Sequence, residues 1–191
     1  MSDLSDDDLM ILFVDGDPEA FDVLFDRCGP AVYNFAFHML NDAAQAEEIL
    51  QETFLAVARS AKSYQPQGRF RTWLMRIARN RCLNAIDSEC LRQTALAESS
   101  LTGIDPPSRQ APPDEQAEAN ETMTRVRHAL ADLPTRQREA LALFAFEQMT
   151  YRQIAEVLAM PINTVKTLIH RARATLAAAL DDEKKEPTDG L

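Results

Sequence analysis

The chain has 191 residues, of which 46% are hydrophobic and 26% are charged. These proportions are typical of globular proteins, so they exclude a chain that is disordered throughout. Its longest apolar run extends only from Ala140 to Phe146, which excludes a membrane-spanning helix of roughly 20 residues. Acidic residues follow Met1 where a signal peptide would carry Lys or Arg, and we therefore expect a cytoplasmic protein without membrane insertion.

The formal net charge of −10 is unevenly distributed along the chain. Residues 1–50 hold twelve acids against one base, whereas residues 59–92 hold eight bases against two acids. Such segregation favours two partners of opposite character, a protein surface and a nucleic acid.

Helical periodicity dominates the whole sequence and predicts an all-α fold. The first helix is expected to begin after Ser5 and to end near Gly16. A second segment from Glu19 to Leu40 is expected to be interrupted at Gly29-Pro30. A third helix, from Ala43 to about Ala61, has an apolar stripe on one side. Its opposite face carries Glu47, Glu48, Gln51 and Glu52.

A fourth helix is predicted from Phe70 to Arg92, after the break that Tyr64-Gln65-Pro66-Gln67-Gly68 introduces. It is amphipathic with a basic outer face. Between Thr94 and Ala119 the periodicity is lost and two Pro-Pro pairs occur. We read this segment as a flexible linker, which at ~3.3–3.6 Å per residue could span up to ~90 Å and let two small domains lie far apart.

The C-terminal part contains the pattern of a helix-turn-helix. Pro134 ends one helix, Thr135 is expected to cap the next, and Thr150 with Gln153 forms a capping-box sequence. Pro161 is expected at the first position of the last helix, whose predicted buried stripe includes Val165. No acid occurs from 157 to 180, so the polar face of this helix suits entry into a DNA major groove.

These considerations predict four segments: an N-terminal helical domain (1–92), a Pro-rich linker (93–121), a C-terminal helix-turn-helix domain (122–180) and a charged tail (181–191). Several motifs in this order resemble those of the extracytoplasmic-function sigma factors of the sigma-70 family. The resemblance covers about residues 18–92 and 122–178, and the motifs that carry it lie at 42–54, 70–80, 133–134, 151–155 and 164–173.

This resemblance implies a bacterial initiation factor that binds core RNA polymerase and directs promoter-specific transcription, and that an anti-sigma factor regulates. It implies that Glu47, Glu48, Gln51 and Glu52 bind core polymerase. It places promoter minus-10 recognition and melting at Tyr64, Arg69, Arg71, Trp73, Arg76, Arg79 and Asn80. It places minus-35 recognition at Thr164, Lys166, Thr167, His170, Arg171 and Arg173.

Three positions depart from the family pattern. Glu48 stands where Asp is usual, Gln148 where Gly often makes the turn, and Leu168 where a basic residue is frequent. The resemblance implies that the last change removes a phosphate contact.

Two other functions remain as alternatives. A one-component regulator would bind an operator without joining polymerase, but it needs a dimerisation surface or ligand pocket that the sequence does not indicate. A metal-dependent hydrolase built on Glu47, Glu48 and Glu52 lacks a His at ligand spacing. Because the three cysteines form no C-x-x-C pair and no Gly-rich phosphate loop occurs, we expect reduced thiols, no metal, no cofactor and no enzymatic activity.

Overall fold

The computed structural model describes residues 3–99 and 125–182, and the regular structure in these ranges is entirely helical, as predicted. The N-terminal part contains α1 (Asp6–Val14), α2 (Pro18–Leu40), α3 (Ala43–Ser60), a 3₁₀ turn (Ala61–Ser63) and α4 (Phe70–Ser99). The C-terminal part contains α5 (125–131), α6 (Thr135–Ala145), α7 (Tyr151–Leu158) and α8 (Ile162–Asp182).

Side-chain caps begin several of these helices where the sequence predicts them. The Ser5 hydroxyl accepts a hydrogen bond from the Asp8 amide at 3.2 Å, and the Asp8 carboxylate accepts one from the Ser5 amide at 3.2 Å. Thr150 and Gln153 form the same reciprocal arrangement at the start of α7. These caps satisfy amides that have no partner within the helix and so locate its first residue.

The predicted interruption of α2 at Gly29-Pro30 is wrong, because α2 continues through Pro30 to Leu40. Pro30 removes one backbone hydrogen bond, but its neighbours Cys28, Gly29 and Val32 are buried. Burial on both sides of Pro30 therefore maintains the helix despite the lost bond.

Three predicted helix boundaries also need correction. Helix α4 extends past Arg92 to Ser99, because residues 95–98 (Ala-Leu-Ala-Glu) are good helix formers and no Pro or Gly intervenes. Pro134, not Thr135, occupies the N-cap of α6 and provides no side-chain bond. Pro161 lies one residue before α8, where its carbonyl accepts from the Thr164 amide at 2.9 Å. The predicted linker (93–121) begins too early, because 93–99 belong to α4, and the predicted tail (181–191) begins within α8. Residues 100–121 of the linker and 183–191 of the tail lie outside the described residues.

Helices α1 to α4 share an apolar core in which Leu24, Phe35 and Leu74 are fully buried. In the C-terminal part, Leu143, Ile154 and Val165 are buried between α6, α7 and α8. The predicted stripes of α3 and α8 face these cores.

The two halves of the chain also pack against each other, α4 against α7 and α2 against α6. The Arg138 guanidinium donates to the Met39 carbonyl at 2.7 Å. The His38 ring stacks on Phe146 with 3.6 Å between ring centroids. The structure therefore holds close together the two domains that the linker could allow to lie apart.

The three cysteines are free thiols; Cys28 and Cys82 are buried and Cys90 is exposed. Burial raises the pKa of Cys28 and of Cys82 to about 12. Within 3–99 and 125–182, no helix combines the length and apolarity needed to cross a membrane.

Candidate nucleic-acid and partner interfaces

Helix α8 presents its polar residues on the side opposite its buried stripe. Val165, Ile169 and Ala172 are buried. The six residues predicted to contact the minus-35 element are all exposed: Thr164, Lys166, Thr167, His170, Arg171 and Arg173. In the part of the chain that the structure describes, none of the basic residues in this set forms an ion pair with an acid. This face is therefore open to an anionic ligand.

The two basic side chains at the flanks of α8 rest on aromatic rings. The Arg173 guanidinium lies 4.7 Å from the centroid of Phe144, and the Lys166 ammonium lies 5.9 Å from that of Tyr151. The two rings are themselves stacked, with centroids 5.2 Å apart. These contacts limit the mobility of Arg173 and Lys166 while leaving their charges at the surface.

Two turns of the C-terminal part require a left-handed backbone at residues other than glycine. Gln148 has a φ of 51° between α6 and α7, and Ala159 has a φ of 51° between α7 and α8. A side chain disfavours this conformation, which agrees with the Gly that the resemblance led us to expect at position 148. The structure accommodates both residues in the turns that set the angle of α8.

The segment between the 3₁₀ turn and α4 forms a cleft with the first turns of α4 and with Glu156 of α7. The cleft has a volume of about 430 Å³, and its lining includes Tyr64, Gln65, Gln67, Arg69, Trp73 and Arg76. The Tyr64 and Trp73 rings lie 4.9 Å apart. The structure thus brings together four of the seven residues predicted to contact the minus-10 element, and combines exposed positive charge with aromatic surface.

Three arginines predicted to contact the minus-10 element are paired with acids of the C-terminal part. Arg79 Nε lies 2.9 Å from Glu139 Oε1, Arg71 Nη2 lies 3.3 Å from Glu147 Oε2, and Arg69 Nη1 lies 3.6 Å from Glu156 Oε2. Arg76 and Asn80 are exposed. The C-terminal part therefore covers Arg79 and places acids beside Arg71 and Arg69, whose side chains remain partly exposed.

The ion pairs differ in burial. The side chains of Glu139 and Glu147 are 1% and 3% exposed, whereas that of Glu156 is 35% exposed. Burial raises the pKa of both Glu139 and Glu147, and the facing guanidinium opposes this shift in each case. The two buried carboxylates need their arginine partners to remain charged in this environment.

The acidic face of α3 is only partly free for a partner. Glu47, Glu48 and Gln51 are exposed. The carboxylate of Glu52 forms an ion pair with Arg81 on α4. Glu48 and Glu52 also line a groove of about 230 Å³ between α3 and α4.

Sequence reasoning missed Asp7, Glu139 and Glu147. The two glutamates lie at buried positions among apolar residues, which is an unusual setting that could have signalled a buried partner. Asp7 is the middle of three consecutive aspartates, and nothing in the sequence distinguishes it from its neighbours.

Comparison with known families and structures agrees with this arrangement. Residues 24–89 match the Sigma-70 region 2 family, and residues 123–176 match the Sigma-70, region 4 family. The first match contains α3 and most of α4, and the second contains the helix-turn-helix.

Individual relatives match over nearly the whole chain. It is 31% identical to the RNA polymerase sigma-H factor of Pseudomonas aeruginosa, over 90% of this chain and 91% of that protein. It is 28% identical to the ECF RNA polymerase sigma factor SigW of Bacillus subtilis, over 87% and 92% of the two chains. The solved structure of CnrH in complex with the cytosolic domain of CnrY is similar, with a TM-score of 0.72 and 27% identity over 93% of this chain and 97% of that chain. The chain belongs to the sigma-70 family of RNA polymerase sigma factors, in its extracytoplasmic-function group.

Proposed function

We propose that this sigma factor binds core polymerase and the two promoter elements through three separate surfaces. The outer face of α3 (Glu47, Glu48, Gln51 and Glu52) binds core RNA polymerase. The segment from Tyr64 to Asn80 melts and reads the minus-10 element, and the exposed face of α8 reads the minus-35 element. The chain acts in the cytoplasm as an initiation factor and carries out no catalytic step of its own.

The observation that carries this proposal is the open basic face of α8. The face holds Lys166, His170 and two arginines. A helix held by a helix-turn-helix scaffold with such a face fits the major groove, where side chains reach base edges. Arg171 lies away from the buried stripe, which supports its assignment as the residue that contacts bases. Arg173 lies against Phe144 at the flank, nearer the phosphates.

The packed domains suggest how promoter binding depends on polymerase. Arg79 is mostly covered where it faces Glu139, and the charges of Arg71 and Arg69 are partly neutralised by Glu147 and Glu156. We therefore expect polymerase to separate the domains, and the free chain to bind duplex promoter DNA poorly. Division of the chain into domains at 1–92 and 122–180, joined by the linker, is consistent with this movement.

An anti-sigma factor would hold the chain inactive. The similar structure of CnrH contains the cytosolic domain of CnrY bound to it. A second protein that binds across both halves of our chain would stabilise their packing and keep the arginines of α4 covered.

The proposal is tested by reconstitution with bacterial core RNA polymerase. Wild-type chain added to core should give transcripts with defined start sites from a pool of templates randomised in the promoter region. The double variant Glu48→Lys/Gln51→Ala should retain its helical fold but co-migrate poorly with core. Asp22→Asn, at an exposed acid on α2, serves as the control and should bind core normally. Undiminished co-migration of the double variant would contradict the role of the α3 face.

Reconstitution also separates this function from that of a one-component regulator. A regulator would bind a selected duplex tightly at ~0.15 M salt without core polymerase. It would give no promoter-specific transcript when core is added.

A further inference from the structure

The Asp7 carboxylate on α1 binds the segment that leads into α4. Asp7 Oδ1 accepts a hydrogen bond from the Tyr64 hydroxyl at 2.6 Å. The same oxygen accepts from the Gln67 amide at 3.1 Å and from the Gly68 amide at 3.1 Å. Asp7 Oδ2 accepts from the Phe70 amide at 3.4 Å. One side chain thus contacts four donors that lie 57 to 63 residues further along the chain.

These four contacts determine the conformation of an otherwise irregular segment. Phe70 is the first residue of α4, so its amide belongs to the group that has no partner within the helix. Gly68 has a φ of 68°, a conformation that the side chains of other residues disfavour. A carboxylate at the N-terminus of α4 satisfies these amides and interacts favourably with the helix dipole.

Helix α1 holds Asp7 firmly against this segment. Leu9 and Met10 of α1 are fully buried. The Arg27 guanidinium donates to the Leu4 carbonyl at 2.8 Å and to Asp6 Oδ1 at 2.8 Å. The two neighbouring acids therefore make different contacts. Asp6 bonds α1 to α2, and Asp7 bonds α1 to residues 64–70.

The residues that Asp7 orders line the cleft at the start of α4. Tyr64 and Gln67 are part of the lining. The Tyr64 ring lies 4.9 Å from that of Trp73 and 5.8 Å from that of Phe70. Burial and the hydrogen bond to Asp7 raise the pKa of Tyr64, so its hydroxyl remains a donor to the carboxylate.

We propose that Asp7 is a positioning residue for minus-10 recognition, which orders residues 64–70 so that their side chains and those of α4 meet unpaired bases in one fixed arrangement. This inference rests on the proposed function of the Tyr64 to Asn80 segment. Asp7 does not line the cleft, so it acts on DNA through the residues that it orders. Its loss therefore alters which minus-10 sequences are opened, while polymerase binding and minus-35 preference stay unchanged.

The test compares holoenzymes that contain wild-type chain, Asp7→Ala, Asp7→Asn, Tyr64→Phe or Asp6→Asn. Each is assembled with bacterial core RNA polymerase and given templates randomised at both promoter elements. Sequenced transcripts report base preference, and permanganate reactivity of thymines reports opening of a promoter that the wild type prefers. Asp6→Asn is the matched control, because it weakens the attachment of α1 to α2 without touching residues 64–70.

We expect Asp7→Ala to slow opening by about tenfold and to flatten preference within the minus-10 element only, as loss of several charge-assisted hydrogen bonds would do. Asp7→Asn retains one acceptor oxygen and should show the same change at reduced size. Tyr64→Phe should slow opening by about threefold, and it should add little to Asp7→Ala because the two groups share one interaction.

Three results would overturn the proposal. The first is wild-type minus-10 preference and opening in both Asp7 variants. The second is an equal loss in Asp6→Asn, which would show that only the docking of α1 matters. The third is an unchanged core affinity combined with an altered minus-35 preference. If the wild-type holoenzyme itself gives no defined transcripts, the proposed function fails first and the role of Asp7 fails with it.

Discussion

The exposed face of α8 and the first turns of α4 are both basic, but they differ in what lies opposite them. Within the described residues, the bases of α8 face no acid, and two of them rest on aromatic rings. On α4, Arg79 and Arg71 each face a buried glutamate from the other half of the chain. The same type of charge is therefore available for DNA in one region and occupied within the molecule in the other.

This difference suggests an order of events at a promoter. The α8 face has no ion pair to lose before it meets a duplex, although the net charge of −10 keeps the affinity of the free chain for duplex DNA low. The α4 surface must first lose its contacts with Glu139, Glu147 and Glu156, which requires the C-terminal part to move. On the proposed function, the covered part of the α4 surface would become accessible to DNA only when polymerase holds the two parts separately.

The largest expected effect follows from neutralising Glu139. In Glu139→Gln the partly buried Arg79 loses its counter-charge, and breaking a fully buried pair in this way costs about 3–5 kcal/mol, which is the upper limit here. The packing of the domains should weaken, so small-angle scattering should report a larger radius of gyration. Affinity for a random single-stranded oligonucleotide should rise as the α4 surface becomes accessible. An unchanged radius and unchanged affinity would show that this pair does not hold the domains together.

The open α8 face predicts a base-specific effect. Arg171→Ala should cost about 1–3 kcal/mol at one position of the minus-35 element and relax the preference there. Arg173→Ala, the matched control at the flank, should weaken all minus-35 variants alike and reduce the salt dependence of binding. In vitro transcription by holoenzyme on promoters varied one base at a time measures both. An unaltered base preference in Arg171→Ala would refute its role as a reader.

A pH effect on domain packing should follow from His38. Burial lowers its pKa from 6.5 to about 4, so the packed form binds fewer protons than the separated form in this interval. The contribution of neutral His38 to the stability of the packed form is complete above about pH 6.5 and is lost as the pH falls through about 4. Glu139 and Glu147 have raised pKa values and act in the opposite sense.

The contribution of His38 is isolated by comparing wild type with His38→Phe. This variant keeps an aromatic ring against Phe146 and cannot titrate. Scattering at a series of pH values should show wild type opening more than His38→Phe as the solution is acidified. Identical curves for the two proteins would exclude a role for this histidine.

The smallest effect is expected for Glu156→Gln. Its partner Arg69 has a side chain that is 61% exposed, and the two charges are 3.6 Å apart. Exposed pairs of this kind contribute about 0–1 kcal/mol, so the radius of gyration should change much less than in Glu139→Gln. An equal change in radius of gyration in both variants would mean that the strength of these ion pairs does not depend on their burial.

Local sequence patterns were sufficient to predict most helices and the chemistry of α8. The caps at Ser5 and Thr150 and the stripe around Val165 depend on residues three or four positions apart, so short-range physics determines them. The extent of α2 was different. Pro30 predicted a break locally, but Gly29 is buried and α2 packs against α3, and this tertiary packing accounts for the continuous helix.

The sequence by itself also determined the family, because its motifs combine residue types at characteristic spacings in two domains. Only the tertiary structure decided which bases are covered and what Asp7 binds. Arg79 and Glu139 are 60 residues apart, Arg71 and Glu147 are 76 apart, and Asp7 meets residues 64–70 from the other end of the domain. Such pairs leave no periodic signal in a single sequence, because their proximity arises from how the helices pack and not from the spacing of residues within any one of them.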